Sequence, residues 1–345
     1  MMPMYEVTIG IPVYRACQYI EDSLLSALNQ TFLSIEFLIV DDKGGDGSMD
    51  IVVNLQKNHP QGKDIRILVN DMNSGVSYSR NRIIDEAKGR YLYFMDSDDT
   101  IEPDTIQLLF DAIVENKAQI AYGSYEIIDG IGGLPTVKYQ KDSLILKGKD
   151  ELALYAFKNN QIFHVSVCNH LVDLDFLRQS KVRFIDVSYW EDMAYTTELV
   201  TKVESAVLLS DVTYHYLRRP DSLSHYQGRV ALEKKELLNN ISVLIYLKEK
   251  CLTFRGKIYL PYLSYNLQMV SFYLVCHIMR HSQLIIPKFT NKEIKVIMKY
   301  PVPVSYILSY KDKRFPNCMF AFLSFLPLCF HLPLIWLLGK YKGVL

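Results

Sequence analysis

The sequence predicts an α/β fold, with a mostly parallel twisted sheet, flanking helices and a helical C-terminal extension. Short apolar runs of strand length alternate with segments of helical spacing through residues 7–95. Three of these runs end in polar or acidic residues, and past residue 226 the apolar spacing is helical. Alternation of this kind produces parallel strands that are joined by right-handed crossovers.

The predicted elements follow one another in the order β-α-β-α-β-α-β. Pro12 fixes the end of the first strand, because proline cannot donate a hydrogen bond to a central ladder. The predicted strands cover residues 7–14, 35–40, 65–69 and 91–95, and the helices cover 20–28, a segment from 49, and 76–87.

Polar side chains follow the strands of this predicted sheet. Tyr14 ends the first strand, Asp41 and Asp42 end the second, and residues 96–98 follow the fourth. Ligands of such sheets bind at the carboxyl ends of the strands. The sequence therefore predicts a ligand site at this edge.

Three carboxylates lie close together after the fourth strand, at Asp96, Asp98 and Asp99. Like charges this close repel unless a cation or a proton neutralises them. Oxygen ligands suit Mg²⁺ or Mn²⁺, which also hold substrate phosphates. The alternative is a solvated acidic turn before a helix, since Thr100 and Glu102 are also typical helix-start residues.

Four linked motifs in fixed order carry a family resemblance. They are IPVY at 11–14, IVDD at 39–42 with DGS at 46–48, NSGVS at 73–77 with SRN at 79–81, and FMDSDD at 94–99. Together they resemble the family 2 glycosyltransferases of the GT-A fold, which invert the sugar configuration and include bacterial surface-polysaccharide enzymes. Two loops depart from the family pattern, with Arg15 where Asn is common and residues 43–45 in place of Gly-Ser-Thr.

A second block of the sequence resembles the acceptor half of that family. YWED at 189–192 is similar to the acidic pair that supplies the catalytic base, and TYHYLRR at 213–219 with DSLS at 221–224 is similar to the strand and basic loop that follow. Without the upstream motifs, Glu191 and Asp192 would be read as an ordinary helix N-terminus.

The resemblance implies transfer of a sugar from a nucleoside-diphosphate sugar, such as a UDP-sugar, to an acceptor hydroxyl. It implies Asp192 as the base, with Glu191 next, and Asp98 with Asp96 as ligands of Mg²⁺ or Mn²⁺. Arg80 positions the diphosphate, braces the acidic loop or forms a structural ion pair. The implied nucleotide-sugar-binding positions are Pro12, Val13, Tyr14, Asp41, Asp42, Gly75, Arg80, Asp96, Ser97, His215, Arg218 and Arg219.

Composition limits the partners. Lys and Arg number 38, as do Asp and Glu, so the charge balance favours no nucleic-acid partner. The six cysteines have no metal-ligand spacing, and no signal peptide is recognised, which suits a reducing cytoplasm. The expected divisions are a nucleotide-sugar half at 1–115, an acceptor half with the base at 116–225, a helical extension at 226–315 and an apolar tail at 316–345.

The C-terminal tail is apolar between basic flanks. Residues 319–338 carry no charged residue, and seven basic residues precede them between 287 and 315. Pro316, Pro327 and Pro333 break any single continuous helix in this region. This pattern predicts an in-plane or re-entrant anchor on the cytoplasmic membrane leaflet, and by family analogy a lipid-linked saccharide acceptor. A single span and a tail packed on the protein's own core are the alternatives. The less apolar residues 258–279 are predicted as a buried helix.

Two other functions fit part of the sequence. Residues 96–100 match D-x-D-x-T, the nucleophile motif of haloacid-dehalogenase-like phosphohydrolases, although that motif normally follows the first strand and would leave Asp192 unexplained. A non-catalytic sugar-nucleotide-binding protein is the other alternative. A dinucleotide-binding enzyme is disfavoured, because no G-x-G-x-x-G follows the first strand.

Overall fold

The computed structural model of the chain describes residues 4–130, 133–140, 142–159, 166–218 and 232–344. It divides into two compact units. The first unit consists of residues 1–152 and 166–222, and the second consists of residues 153–165 and 223–345. The expected border at 115/116 falls inside the first unit, and the one at 315/316 falls inside a helix of the second.

The first part of the first unit has the predicted β-α-β-α-β-α-β order. Its elements are β1 (Tyr5–Val13), α1 (Ile20–Leu28), β2 (Ile35–Asp41), α2 (Ser48–Asn58), a 3₁₀ turn (Gly62–Asp64), β3 (Ile65–Val69), α3 (Val76–Glu86) and β4 (Gly89–Phe94). The β2 strand is buried from Ile35 to Val40, as expected where helices cover both faces of a sheet.

The second part of this unit is less regular. Its elements are β5 (Thr100–Ile101), α4 (Thr105–Glu115), β6 (Ile120–Asp129), β7 (Pro135–Tyr139), β8 (Leu144–Lys147), α5 (Glu151–Lys158), β9 (His170–Asp173), α6 (Leu174–Ser180), α7 (Glu191–Val200) and β10 (Ser205–Arg218). Helix α5 begins in the first unit and continues into the second.

The described strands of the first unit form one sheet in the order β3-β2-β1-β4-β9-β6-β10-β5, with β7 paired to β6 and β8 paired to β10. The first four strands are parallel, as predicted. Beyond them the sheet is mixed, because β9 runs antiparallel to both β4 and β6. The α/β class is confirmed, but parallel pairing is limited to β1–β4 and to the pair of β6 with β10, and the other described pairs of this sheet are antiparallel. An apolar pattern locates strands, but their directions depend on the connections.

The second unit is helical, which confirms the predicted helical extension. Its elements are β11 (Leu232–Glu233), α8 (Lys234–Lys250), a 3₁₀ turn (Cys251–Phe254), α9 (Leu260–Arg280), β12 (Ile285–Ile286), α10 (Asn291–Ile297), α11 (Val304–Leu308), α12 (Arg314–Phe325) and α13 (Leu328–Tyr341). Helix α9 contacts α8, α10, α12 and α13, so it is the central helix that the sequence predicts to be buried.

The predicted tail forms the two helices α12 and α13. Pro327 separates them, as predicted, whereas Pro316 lies in the first turn of α12 and Pro333 lies inside α13. A proline in the first turn removes no helical hydrogen bond, so Pro316 does not interrupt the helix. Across the described ranges, none of the helices combines the length and the apolar character that a bilayer span requires.

Candidate active site

The ends of β1, β2 and β4 meet at one edge of the sheet. Strand β1 pairs in parallel with β2 on one side and with β4 on the other. The polar residues that follow these strands therefore lie at the same edge, as the sequence predicts. Pro12 pairs with Val40 one residue before β1 ends, so the strand stops close to the predicted point.

A cavity of about 330 Å³ opens beside the ends of β1 and β2. It is lined by Val13, Arg15, Asp41, Lys43, Gly44, Gly45, Asp46, Gly47, Ser48, Met49 and Asp50. Arg15 and Lys43, which depart from the family pattern, thus both line this cavity.

The cavity wall depends on a close approach of two loops. A Cβ atom at Gly44 would lie 2.5 Å from the backbone nitrogen of Arg15, so only glycine fits there. The guanidinium of Arg15 lies 5.3 Å from the ring centroid of Tyr14, whose side chain is 41% exposed. Tyr14 therefore presents an aromatic surface next to the predicted binding edge.

Asp42 is buried and holds the loop before α3. Its Oδ1 accepts hydrogen bonds from Asn70 Nδ2 at 2.7 Å and from the Ser74 backbone N–H at 2.8 Å. Its Oδ2 accepts from the Gly75 backbone N–H at 2.8 Å, where Gly75 has a φ of 85°. Asp42 and Gly75 therefore support the loop before α3 through hydrogen bonds, whereas Asp41 lines the cavity.

The centre of the site is the buried guanidinium of Arg80, which joins the end of β4 to the start of α7. Its Nη2 lies 2.8 Å from Oδ1 of Asp96. Its Nη1 lies 2.9 Å from Oε1 of Glu191 and 3.0 Å from Oδ1 of Asp192. Phe184 packs under this group, with 5.5 Å between the guanidinium carbon and the ring centroid. One side chain therefore contacts a predicted metal ligand and both predicted base residues.

Burial and charge act on these groups in opposite directions. Burial lowers the pKa of Arg80, but the carboxylates of Asp96, Asp192 and Glu191 outweigh it and hold the pKa well above its usual value. Burial, together with the neighbouring Asp192, raises the pKa of Glu191 well above its usual value. The guanidinium is therefore permanently charged, and Glu191 holds a proton more readily than an ordinary glutamate.

The turn after β4 is fastened to β10 through Asp99. The buried Asp99 carboxyl accepts a hydrogen bond from the Tyr214 hydroxyl at 2.6 Å and from the Leu217 backbone N–H at 2.8 Å. The Asp96 backbone N–H donates to the same hydroxyl at 3.3 Å. Ser97 and Asp98, between these two anchors, are half-buried. Burial, and then the charges of Asp98 and Asp96, raise the pKa of Asp99 well above its usual value.

This donor set fits a divalent cation that takes part of its coordination from a ligand. Within the part of the chain that the structure describes, no group of three or more His, Cys, Asp or Glu side chains could hold a metal alone. Asp96 and Asp98 still place carboxylates in one turn, and one oxygen of Asp96 is engaged by Arg80. Mg²⁺ commonly binds through one or two carboxylates plus substrate phosphates, so two carboxylates suffice.

The basic residues of β10 contact protein carboxylates. His215 Nε2 lies 2.8 Å from Oε1 of Glu102, and Arg218 Nη1 lies 3.1 Å from Oδ1 of Asp129. Arg219 and the segment 221–224 lie outside the described residues. The predicted diphosphate contacts from His215 and Arg218 therefore compete with contacts that these side chains already make to Glu102 and Asp129.

The sequence did not predict a role in the site for three residues that support it. Tyr214 anchors Asp99, Asn70 anchors Asp42, and Phe184 packs on Arg80. Tyr214 and Asp99 are 115 positions apart, and Asn70 and Asp42 are 28 apart. Motif spacing carries no signal for such pairs.

Comparison with known proteins supports the same family that the motifs resemble. The family model described as "Glycosyl transferase family 2" matches residues 8–179. The putative teichuronic acid biosynthesis glycosyltransferase TuaG of Bacillus subtilis is 26% identical over 242 residues, which cover 70% of this chain and 90% of that protein. The poly(ribitol-phosphate) beta-glucosyltransferase of Bacillus spizizenii is 27% identical over 220 residues, which cover 63% of this chain but 33% of that protein.

A solved structure shares the fold across nearly the whole chain. The crystal structure of S. aureus TarS 1-349 in complex with UDP-GlcNAc superposes with a TM-score of 0.65 at 16% sequence identity. The superposition covers 93% of this chain and 89% of that one. At this level of identity the likeness shows the GT-A fold.

Proposed function

This chain belongs to glycosyl transferase family 2, and on that basis we propose that it transfers a sugar from a UDP-sugar to an acceptor hydroxyl with inversion. The observation that carries the proposal is the Arg80 cluster, which brings Asp96 together with Glu191 and Asp192 at the edge of the sheet. The UDP-GlcNAc complex of S. aureus TarS, which shares this fold, supports the choice of donor.

The cavity at the ends of β1 and β2 is the proposed site of the base and ribose. Asp41 lines it, and Tyr14 stands exposed at its border. An aromatic face stacks on any nucleobase, and a carboxylate accepts hydrogen bonds from base or ribose groups. Arg15 and Lys43 add positive charge to the same cavity, so they are the residues that we expect to shape the donor preference.

Asp192 is the proposed general base. Its side chain is 24% exposed, against 11% for Glu191, so it is the more accessible of the two. Arg80 gives it a counter-charge, while the raised pKa of Glu191 favours the protonated form of that neighbour. Asp192 would accept the proton of the acceptor hydroxyl as that oxygen attacks the anomeric carbon from the face opposite the leaving diphosphate. One such displacement inverts the configuration.

Asp98, with Asp96, is proposed to hold Mg²⁺ or Mn²⁺ together with the donor diphosphate. When bound, such an ion neutralises charge that develops on the departing diphosphate. Asp98 is the main ligand in this proposal because of its position in the family motif, and Oδ1 of Asp96 contacts Arg80. Arg80 keeps the Asp96 carboxylate and the start of α7 at a fixed distance from each other.

The acceptor is proposed to be a saccharide, either free or lipid-linked, in the assembly of a surface polysaccharide at the inner face of the cell membrane. The names of two relatives refer to teichuronic acid biosynthesis and to a poly(ribitol-phosphate) beta-glucosyltransferase. The apolar, lysine-flanked residues 311–342 support a peripheral membrane association.

The other two functions receive less support. A phosphohydrolase of the D-x-D-x-T type would need Asp96 as a nucleophile after a first strand, but Asp96 follows β4 and is ion-paired with Arg80. A non-catalytic sugar-nucleotide-binding protein would not need a partly exposed carboxylate such as Asp192 beside Arg80.

A donor screen tests the proposal. The purified full chain is heated with individual sugar nucleotides in the presence of Mn²⁺ or of a chelator, and release of UDP is then measured with the donor that stabilises most. We expect a Mn²⁺-dependent rise in melting temperature with a UDP-sugar, and UDP release that Asp192→Asn strongly reduces. Asp111→Asn, at an exposed position of α4, is the matched control. If no sugar nucleotide stabilises the protein and none is consumed, the proposal is wrong.

A further inference from the structure

Helix α12 has one apolar face that is buried and another that is exposed. The exposed side chains are Phe315 (80%), Met319 (43%), Phe322 (62%) and Phe325 (69%), which follow one another at intervals of three or four residues. That spacing places them along one side of a helix. The buried face carries Asn317, Phe320, Ala321 and Leu323.

The buried face holds α12 in place through Asn317. This fully buried amide donates from Nδ2 to the Pro261 carbonyl at 3.0 Å and to the Lys313 carbonyl at 2.7 Å. Its Oδ1 accepts a hydrogen bond from the Tyr300 hydroxyl. The aromatic side chains on the opposite face are therefore presented by an anchored helix.

Helix α13 repeats this arrangement. Phe330 (63%), Trp336 (48%), Leu337 (58%) and Tyr341 (87%) are exposed, while His331 and Ile335 are fully buried. Two consecutive helices thus each expose a row of large apolar side chains. Exposed apolar surface of this extent normally marks an interaction site.

Basic residues accompany both rows. Residues 311–344 contain Lys311, Lys313, Arg314, Lys340 and Lys342, and the acidic residue among them is Asp312. Lys340 extends over the ring of Trp336, with its Nζ 5.6 Å from the centroid. A partner that matches this surface must accept aromatic side chains and carry negative charge.

We propose that the exposed face of α12 and α13 lies in the plane of an anionic lipid surface. We call it the docking face and define it by eight side chains, which are Phe315, Met319, Phe322, Phe325, Phe330, Trp336, Leu337 and Tyr341. The inference deepens the proposed function and rests on it for its purpose, since a lipid-linked acceptor is confined to such a surface. Aromatic side chains favour the membrane interface, and lysines are attracted to anionic headgroups.

The lengths of the helices exclude a bilayer span by either one. Helix α12 has 12 residues and α13 has 14, whereas a span needs about 20. A second copy of this chain is the less suitable occupant, because the lysines and arginine that accompany one docking face would repel those of the other.

Vesicle flotation of the full chain tests the proposal. Vesicles of neutral phosphatidylcholine are compared with vesicles that contain phosphatidylglycerol as well, at low and high salt. The test variant is Phe322→Glu with Trp336→Glu, and the matched control is Leu33→Glu, an equally drastic change at a 77% exposed apolar position of the first unit. A second variant, Lys311→Glu with Lys342→Glu, tests the charge at two exposed lysines.

We expect binding to anionic vesicles that weakens with salt but persists, because screening affects only the electrostatic part. Removal of one aromatic side chain from the lipid interface should weaken vesicle affinity by about tenfold. The double aromatic variant should therefore bind roughly a hundredfold more weakly than the parent protein. The control should bind as the parent protein does, and the lysine variant should lose its preference for anionic vesicles.

Several results would overturn the docking face. They are equal vesicle binding by the aromatic variant, equal binding to neutral and anionic vesicles, or a parent dimer in solution that the aromatic variant abolishes. Unchanged melting temperatures verify that the variants fold. Stabilisation by the donor reports on the proposed glycosyl transfer separately, so failure of one inference is distinguishable from failure of the other.

Discussion

Arg80 and Asp192 are 112 residues apart in the sequence, yet Nη1 of Arg80 lies 3.0 Å from Oδ1 of Asp192. The same guanidinium contacts Asp96 through its other terminal nitrogen. Asp96 belongs to the turn that is proposed to face the donor, and Asp192 is the proposed base for the acceptor. The buried guanidinium of Arg80 therefore contacts both the donor side and the acceptor side of the proposed reaction.

Replacement of Arg80 should affect both stability and turnover. Arg80→Ala would leave the carboxylates of Asp96, Glu191 and Asp192 without their cation, at an expected cost of about 3–5 kcal/mol in the free energy of unfolding. Arg80→Lys keeps the charge but cannot contact both ends at once, so we expect a smaller loss of stability and a clear loss of kcat. Chemical denaturation and donor turnover measure the two effects. A fully active, fully stable Arg80→Ala protein would contradict the bridging role.

Asp192 and Glu191 should differ in their effects on turnover. Asp192→Asn keeps the size of the side chain but cannot accept a proton, so turnover should fall by roughly 10²–10⁴-fold with donor binding nearly unchanged. Glu191→Gln should cost less than about tenfold, because Glu191 is the less accessible of the two, with 11% of its side chain exposed against 24% for Asp192. Steady-state kinetics of both variants decide the point. The reverse order of effects would make Glu191 the base.

Asp98 should matter for metal binding and little for the stability of the fold. Asp98→Ala should abolish the Mn²⁺-dependent part of donor stabilisation, while the melting temperature without ligands stays close to that of the parent protein. Asp96→Ala should lower both the Mn²⁺-dependent stabilisation and the melting temperature without ligands, since it also removes a partner of Arg80. Thermal unfolding with donor and either Mn²⁺ or chelator separates these effects. Unchanged Mn²⁺ dependence in a folded Asp98→Ala protein would remove the metal from the proposed mechanism.

Lys248 should make stability depend on pH. Its buried Nζ lies 2.7 Å from the Ile297 carbonyl, 2.9 Å from the Lys299 carbonyl and 3.2 Å from Oε1 of Gln268, and burial lowers its pKa to about 7. The unfolded chain keeps this proton up to about pH 10.4, so it binds more protons than the folded chain between the two pKa values. Stability should therefore rise with pH in that window, by at most about 1.4 kcal/mol per pH unit.

The matched variant for this effect is Lys248→Met, which has no titrating group. The difference in unfolding free energy between the parent protein and the variant should grow in favour of the parent from pH 7 to pH 9.5. Urea denaturation at several pH values measures it, and other titrating groups cancel in the difference. A pH-independent difference would show that the two carbonyls keep Lys248 charged in the folded state.

The sequence predicts local features of this molecule well and long-range ones poorly. Strands β1 to β4 and the helices between them lie close to their expected positions, because apolar periodicity is a local property. The antiparallel direction of β9 was not predictable, since an apolar pattern carries no information on strand direction. The apolar character of α12 was evident from its composition, but the division between its buried and exposed faces required the packing against α9.

The candidate site shows the same limit. Motifs identified Asp96, Asp98 and Asp192 one by one, yet the shared contact with Arg80 depends on how α3 and α7 are placed in space. Likewise, the position of Asp42 after β2 predicted a ligand contact. Its three hydrogen bonds to residues 70–75 became evident only with the fold.

Those hydrogen bonds of Asp42 have an evolutionary consequence. They fix the loop that leads into α3, and Arg80 lies just over one turn into that helix. The side chains of Arg15 and Lys43 line the donor cavity from other loops and take no part in this support. Substitutions at Arg15 and Lys43 would therefore change the proposed site of the base and ribose and leave the hydrogen bonds of Asp42 intact, so a lineage could alter its nucleotide preference and keep the Arg80 cluster.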